Sequence, residues 1–179
     1  MTISPTEDIL LHACCGPCSL EPIRLLRERG VEPHIYYANS NIAPREEYEH
    51  RLETIKAFAQ EADVAFTEGT YEPERWEATA GKVGETLRER AEVDTRARCR
   101  MCYRLRFEEA AAYAAEHGFA RLGTTLSVSP YQHRDIIKEE LERACDAAGI
   151  ECAFEDYSPH YREATKRSRA MGMYRQNFC

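Results

Sequence analysis

The stretch DILLHACCGPCS, Asp8 to Ser19, decides the fold. An apolar run, DILLHA (8–13), passes directly into a loop carrying Cys14, Cys15 and Cys18, and a helical pattern follows. Strand, tight loop and helix in that order open an α/β sheet. Ser19 is placed to cap the helix, which runs through Arg29 with Pro22 in its first turn and Gly30 as its stop.

The same alternation continues outward. VEPHIYYA (31–38) reads as a second strand and NSNIAP as a turn-rich loop. Pro44 then opens a helix to about Ala62, with Tyr48, Leu52, Ile55 and Phe58 on one stripe. DVAFTE (63–68) is a third strand ending in GTYEP, and residues 71–95 are polar and helical in pattern. A helix from about Arg100 to His117, a strand at 118–125, the loop LSVSPYQHRD, a helix from about Gln132 to Ala148 and a strand at 150–157 complete the rhythm before a basic helical tail. The expectation is one α/β domain over residues 1–179 with a mainly parallel sheet flanked by helices. Ligands in such sheets sit beyond the carboxyl ends of the strands. The cysteine loop, NSNIAP, GTYEP and LSVSP should therefore gather at one edge.

At 179 residues the chain suits a single packed domain. Its longest apolar runs, about five residues, fall far short of the ~20 of a membrane span. The N-terminus lacks a basic region and a long apolar core, so the cytoplasm is the expected compartment and no membrane is expected as a partner. Eight cysteines is a high count there, where disulfides are rare and clustered cysteines serve as metal ligands or catalytic thiols. The net charge is −7, yet segments 94–106 and 160–179 are each net +4, which leaves −15 on the remainder. A protein with one anionic partner shows this separation.

CGPC, Cys15 to Cys18, is the dithiol motif of thioredoxins, and a thiol at a helix N-terminus is reactive. A dithiol reading leaves Cys14, Cys99, Cys102 and Cys179 without a role. Cys99 and Cys102 form a second CxxC, and with Cys14, Cys15 and Cys18 they supply five thiols, one more than a closed four-thiolate zinc site uses. Iron–sulfur clusters are also held by cysteine, and surplus thiols suggest a second metal or a redox pair. Cys145 and Cys152 read as buried structural thiols. His12, just before the cysteine loop, is either a core residue or a support to the ligands, and His133 lies in a loop at the site edge.

Six stretches in order resemble one family: LLHACCGPCS, NSNIAPREEYEHRL, YEPERW, RCRMCYRLR, TTLSVSPYQ and MYRQNFC. They are similar to the QueH epoxyqueuosine reductases over essentially the whole chain, from about Ile9 to Cys179. The resemblance implies a nucleotide-hydrolase-like (HUP or PP-loop-like) fold and a reductase that converts epoxyqueuosine to queuosine at the tRNA wobble position, the last step of that modification. It also implies a [4Fe–4S] cluster, a second mononuclear iron and a separate electron donor. By the resemblance, Cys14, Cys15, Cys99 and Cys102 hold the cluster, and Cys18 and Cys179 serve the second metal or a redox role. Tyr103, His133 and Asp135 are candidates for the proton donor by position. Tyr131, Tyr161, Tyr174 and Phe178 could stack on an unpaired base, and Arg96, Arg98, Arg100, Arg104 and Arg106 would meet phosphate. Relatives commonly end in Cys-Gly-Cys where this chain stops at Cys179, and they often carry an acid where it has Thr70; if that acid binds the second metal, Glu68, Glu72 or water must substitute.

Two other classes compete. PP-loop tRNA-thiolating enzymes need a Ser-Gly-Gly phosphate loop after the first strand, a position ACCGPCS fills here. A non-catalytic zinc module binding tRNA would hold zinc in air and need no redox chemistry.

Overall fold

The computed structural model describes residues 8–90 and 95–178, the side chains of residues 8, 87 and 88 excepted. Its centre is strand β1, Asp8–His12, which pairs in parallel with β2 (Glu32–Tyr37) on one side and β4 (Arg121–Thr124) on the other. β3 (Ala65–Glu68) extends the sheet beyond β2, and β5 (Glu151–Cys152) extends it beyond β4. The order is β3-β2-β1-β4-β5, every pair parallel.

A parallel sheet is covered on both faces, so a central strand is apolar at successive positions instead of alternating. Ile9, Leu10 and Leu11 are accordingly all inaccessible. Ile9 and Leu11 join a core formed with α1 (Gly16–Glu28) and α2 (Arg45–Glu61), where the expected stripe of Tyr48, Leu52, Ile55 and Phe58 is buried. Leu10 faces the opposite core, built with α5 (Arg96–Glu116) and α6 (Arg134–Ala148). The small side chains Ala110, Ala111 and Ala114 let α5 lie close to the sheet.

Several element bounds differ from the sequence expectation. α1 begins four residues early because Cys15, in extended backbone, precedes it and Pro17 fills the first turn, where a missing N–H costs nothing. Ser19 is therefore inside the helix, donating to the Cys15 carbonyl at 2.7 Å instead of capping, and Pro22 lies in the helix interior. α5 starts at Arg96, which puts Cys99 and Cys102 in its first two turns. The polar stretch after β3 is helical as expected, with α3 (Pro73–Trp76) and α4 (Lys82–Glu89) joined through a wider π turn at Glu77–Gly81. The last strand is shorter than expected, and α7 (Tyr161–Ala170) forms the basic tail helix. No described helix is long and apolar enough to cross a membrane.

One buried carboxylate ties α5 to α6. Glu140, only 2% exposed, receives Arg100 and Arg104 from α5 at 3.0 Å each, and Arg143 from its own helix at 2.9 Å. Burial alone would raise its pKa, but Arg104, Arg143 and Arg100 outweigh burial and hold it at about 2.

Two stability outcomes follow from this architecture. Leu11→Ala empties space at the centre of the sheet and should cost about 2–5 kcal/mol, read as a lowered urea midpoint. Glu140→Gln should cost about 2–3 kcal/mol at pH 7, less than a fully buried pair because its arginines keep part of their hydration. The folded pKa of Glu140 is depressed, so its contribution is whole above about pH 4.5 and fades as pH falls toward 2. Urea titrations should thus show the gap between wild type and Glu140→Gln narrowing across that window. A gap independent of pH would remove the carboxylate from the explanation.

Candidate metal centre

The strand order reverses between β1 and β4, because the chain leaves β1 toward β2 and leaves β4 toward β5. At such a switch point the loops diverge and open a crevice beyond the strand ends. The cysteine loop enters that crevice and is pinned on both sides. The Ala13 amide donates to the Tyr36 carbonyl at 3.0 Å, and the Asn39 amide group donates to the Ala13 carbonyl at 2.9 Å. The Thr125 amide donates to the His12 carbonyl at 2.9 Å, and the Thr125 hydroxyl accepts from the Cys14 amide at 3.3 Å.

Held this way, the sulfurs of Cys14, Cys15 and Cys18 lie within 4.8 Å of one another at the head of α1. Among the described residues no other group of three or more Cys, His, Asp or Glu converges in this way. Three neighbouring thiols cannot all ionise without a cation. Hydrogen bonds from Cys14 and Cys18 drive Cys15 well below the ordinary thiol value. The hydrogen bond to Cys15, 3.8 Å away, pushes Cys14 up to about 11, and the same two neighbours push Cys18 far higher. One thiolate forms readily and forbids the others, a conflict that a bound metal removes by accepting all three as thiolates. The donor set therefore fits a soft-ligand metal or an iron–sulfur cluster.

The thiols open into a cavity of about 410 Å³. Its walls include the cysteine loop, Asn41 and Ile42 of NSNIAP, and Leu126, Val128 and Ser129 of the loop after β4. GTYEP, expected at the same edge, does not line it, nor do Glu68 and Glu72. Glu68 instead accepts from Tyr48 and pairs with Lys56.

Cys99 is on the cavity wall, whereas Cys102 is buried beside Arg106, whose guanidinium approaches its sulfur to 3.9 Å. The structure thus brings Cys18 together with Cys14 and Cys15. Cys179 lies outside the described residues. Cys145 is buried in the α5–α6 core and Cys152 packs partly buried against it, as structural thiols would.

His12 is a core residue. Its Nε2–H donates to the Ala38 carbonyl at 3.1 Å, its Nδ1 accepts from Thr124 at 3.1 Å, and burial followed by the charge of Arg106 holds it neutral, with a pKa of about 3. Among the proton-donor candidates, His133 lines the cavity. Tyr103 is buried and donates to the Gln132 carboxamide, bracing the turn from which His133 projects. Asp135 does not line the cavity and is exposed, and Arg96 holds its carboxyl ionised below the usual range, which disfavours it as an acid.

Sequence reasoning missed Arg51 and Gln176. Arg51 is a charge set among the apolar positions of α2, a legible signal; it is buried, salt-bridged to Glu47 at 2.7 Å and stacked 4.9 Å from the Phe178 ring centroid. Gln176 lines the cavity from the tail and helps to lower the Cys15 pKa, and no local pattern marks it. The tail reaches the site because Tyr174 stacks on His50 and donates to Glu47 at 2.8 Å, while Met173 sits where a side chain at Gly16 would be, 2.8 Å from a Cβ there.

Comparison with known proteins agrees with this picture. An epoxyqueuosine reductase QueH from Dehalococcoides mccartyi is 30% identical over 173 residues, covering 96% of this chain and 88% of the relative. One from Haemophilus influenzae is 34% identical over 178 residues, covering 96% and 69%. A solved structure from Methanocaldococcus jannaschii, described as a predicted subunit of tRNA methyltransferase, has the same fold, with a TM-score of 0.58, 14% identity, and coverage of 90% of this chain and 74% of that one. A scan against family models matches residues 9–179 to the family described as "Epoxyqueuosine reductase QueH". That match takes in the central strand, the cysteine loop, both basic segments and the tail, and the chain therefore belongs to the QueH family of epoxyqueuosine reductases.

Proposed function

We propose that the thiol-lined cavity at the β1–β4 switch point is the centre at which this oxidoreductase removes the epoxide oxygen of epoxyqueuosine, carried at the wobble position of a tRNA. The observation that carries the reading is the convergence of Cys14, Cys15 and Cys18 within 4.8 Å at a cavity of nucleoside size, about 410 Å³.

Taking oxygen from an epoxide to leave an alkene needs two electrons and two protons and yields water, and a bound [4Fe–4S] cluster with a neighbouring iron would supply the electrons singly. Cys14, Cys15 and Cys18 would hold metal, with Cys99 as the further thiol on the cavity wall. Cys102 and Cys179 complete the set by sequence. His133 is the cavity imidazole able to hand a proton to the leaving oxygen, and Tyr103 and Gln132 keep its turn in place. Arg51 and Arg106 line the cavity as cations and favour thiolate over thiol. An electron donor must dock near enough to reload the centre. The cytoplasm is the compartment we assign to a chain whose clustered cysteines serve as metal ligands.

The alternatives are not favoured. A zinc module fits three thiols but not membership in a reductase family, and a dithiol switch leaves Cys14 crowding the pair.

Iron, sulfide and zinc content of anaerobically purified protein tests the reading, alongside turnover of epoxyqueuosine-containing tRNA. About four irons or more with matching sulfide are expected. Cys15→Ser and Cys18→Ser should lose most of both and fall at least ~100-fold in activity, whereas Cys152→Ser should retain them. One zinc without sulfide would establish the structural module instead, and metal-free protein with a Cys15–Cys18 disulfide would establish the dithiol enzyme.

A further inference from the structure

The basic segments divide into cations that are occupied and cations that are not. Of the five arginines expected to meet phosphate, Arg96 is bound to Asp135, Arg100 to Glu139 and Glu140, and Arg104 to Glu140. Arg106 is buried against Asn39 and Cys102. Arg98 and Arg106 are the members of the set that line the cavity, Arg106 with its guanidinium engaged by Asn39.

α7 presents the opposite case. Ala164 and Ser168 bury one side of it, and Tyr161 and Thr165 face the cavity. Arg162, Lys166 and Arg169 are exposed and form no ion pair among the described residues, while Arg167 is taken by Glu21 at 2.5 Å. At about 100° per residue the three lie within an arc of roughly 60°, about a quarter turn from the cavity-facing residues. Glu163 falls on the far side of that stripe, away from the cavity. A row of cations is thus left open along one lip of the cavity in a protein of net charge −7.

At the cavity mouth stands Tyr131, 82% exposed. Its ring meets Tyr161 edge-on at 6.2 Å and 89°, and its amide donates to the Ser129 hydroxyl at 3.3 Å. It is therefore positioned by its neighbours without being covered by them. An aromatic ring that is fixed yet open is a surface on which a base can stack.

We propose that Arg162, Lys166 and Arg169 form a rail for RNA phosphates and that Tyr131 stacks on an unpaired base beside the nucleotide in the cavity. The partner is a folded RNA with a single-stranded loop, its stem backbone along α7. This rests on the reading of the cavity as the place where a tRNA nucleotide is held, and it names which surface does the holding.

The two parts have different salt signatures, which makes them separable. Binding of an unmodified tRNA transcript to the full chain, prepared anaerobically with its metal, is measured across salt concentrations. Replacing all three rail residues by Gln should weaken binding at least tenfold at low salt and reduce the slope of log affinity against log salt by about two to three. Tyr131→Ala should weaken binding roughly tenfold with the slope unchanged, and Tyr131→Phe should restore it. Unchanged iron content and melting temperature identify the variants as folded. A slope that does not move would overturn the rail, and full affinity in Tyr131→Ala would overturn the stacking role. Variants that bind tRNA as wild type but lose binding to anionic lipid vesicles would assign the stripe to a membrane instead. Because binding is read without turnover, a protein inactive on epoxyqueuosine but showing these shifts would sink the proposed reaction and keep the interface. A protein that turns over normally with unshifted variants would do the reverse.

Discussion

Everything at the site depends on β1 being paired on both edges. With β2 on one side and β4 on the other, the strand cannot shift register without dragging Leu10 and Leu11 out of two separate cores. The carboxyl end of that strand is consequently held on both sides, and the cysteine loop leaves from it. The neighbouring loop after β4 then reaches back, and Thr125 grips the loop through both the His12 carbonyl and the Cys14 amide. Thiols crowded to within 4.8 Å need such a frame, since their mutual repulsion once ionised would otherwise spread them apart.

Charge is distributed by the same logic. Buried acids on α1 and α6, Glu21 and Glu140, draw in arginines that would otherwise lie in solvent, and in doing so they fix α7 against α1 and α5 against α6. Arg106 is carried inward on α5 to stand beside both Cys102 and Asn39. Arg162, Lys166 and Arg169 on α7 are exposed and form no ion pair among the described residues. The acidic remainder of the surface would repel a polyanion everywhere else, so the open cations can set its direction of approach without being numerous.

Much of the site was readable before folding. The strand–cysteine loop–helix order placed three thiols at a parallel-sheet edge, and two of the turn-rich loops that follow strands, NSNIAP and LSVSP, line the cavity there, whereas GTYEP does not. Helix α2 was legible because its apolar residues recur at helical spacing. The start of α1 was misjudged because a hydroxyl at Ser19 competes, as a local signal, with Gly16 and Pro17, and the packing of Gly16 beneath Met173 favours the earlier start. Gly149, at φ +71, ended α6 as its type predicts.

The sequence by itself determined what is local or periodic: the α/β alternation, the central apolar strand, the thiol set and the two basic segments. Only the tertiary structure decided which thiols converge, that Asp135 pairs with Arg96 outside the cavity, and that Arg100 and Arg104 serve Glu140 while Arg162, Lys166 and Arg169 form no ion pair among the described residues. The reason is physical. A periodic pattern specifies which face of an element is buried, but an ion pair or a shared metal forms between elements, and Arg104 and Glu140 become neighbours only when the sheet sets α5 beside α6.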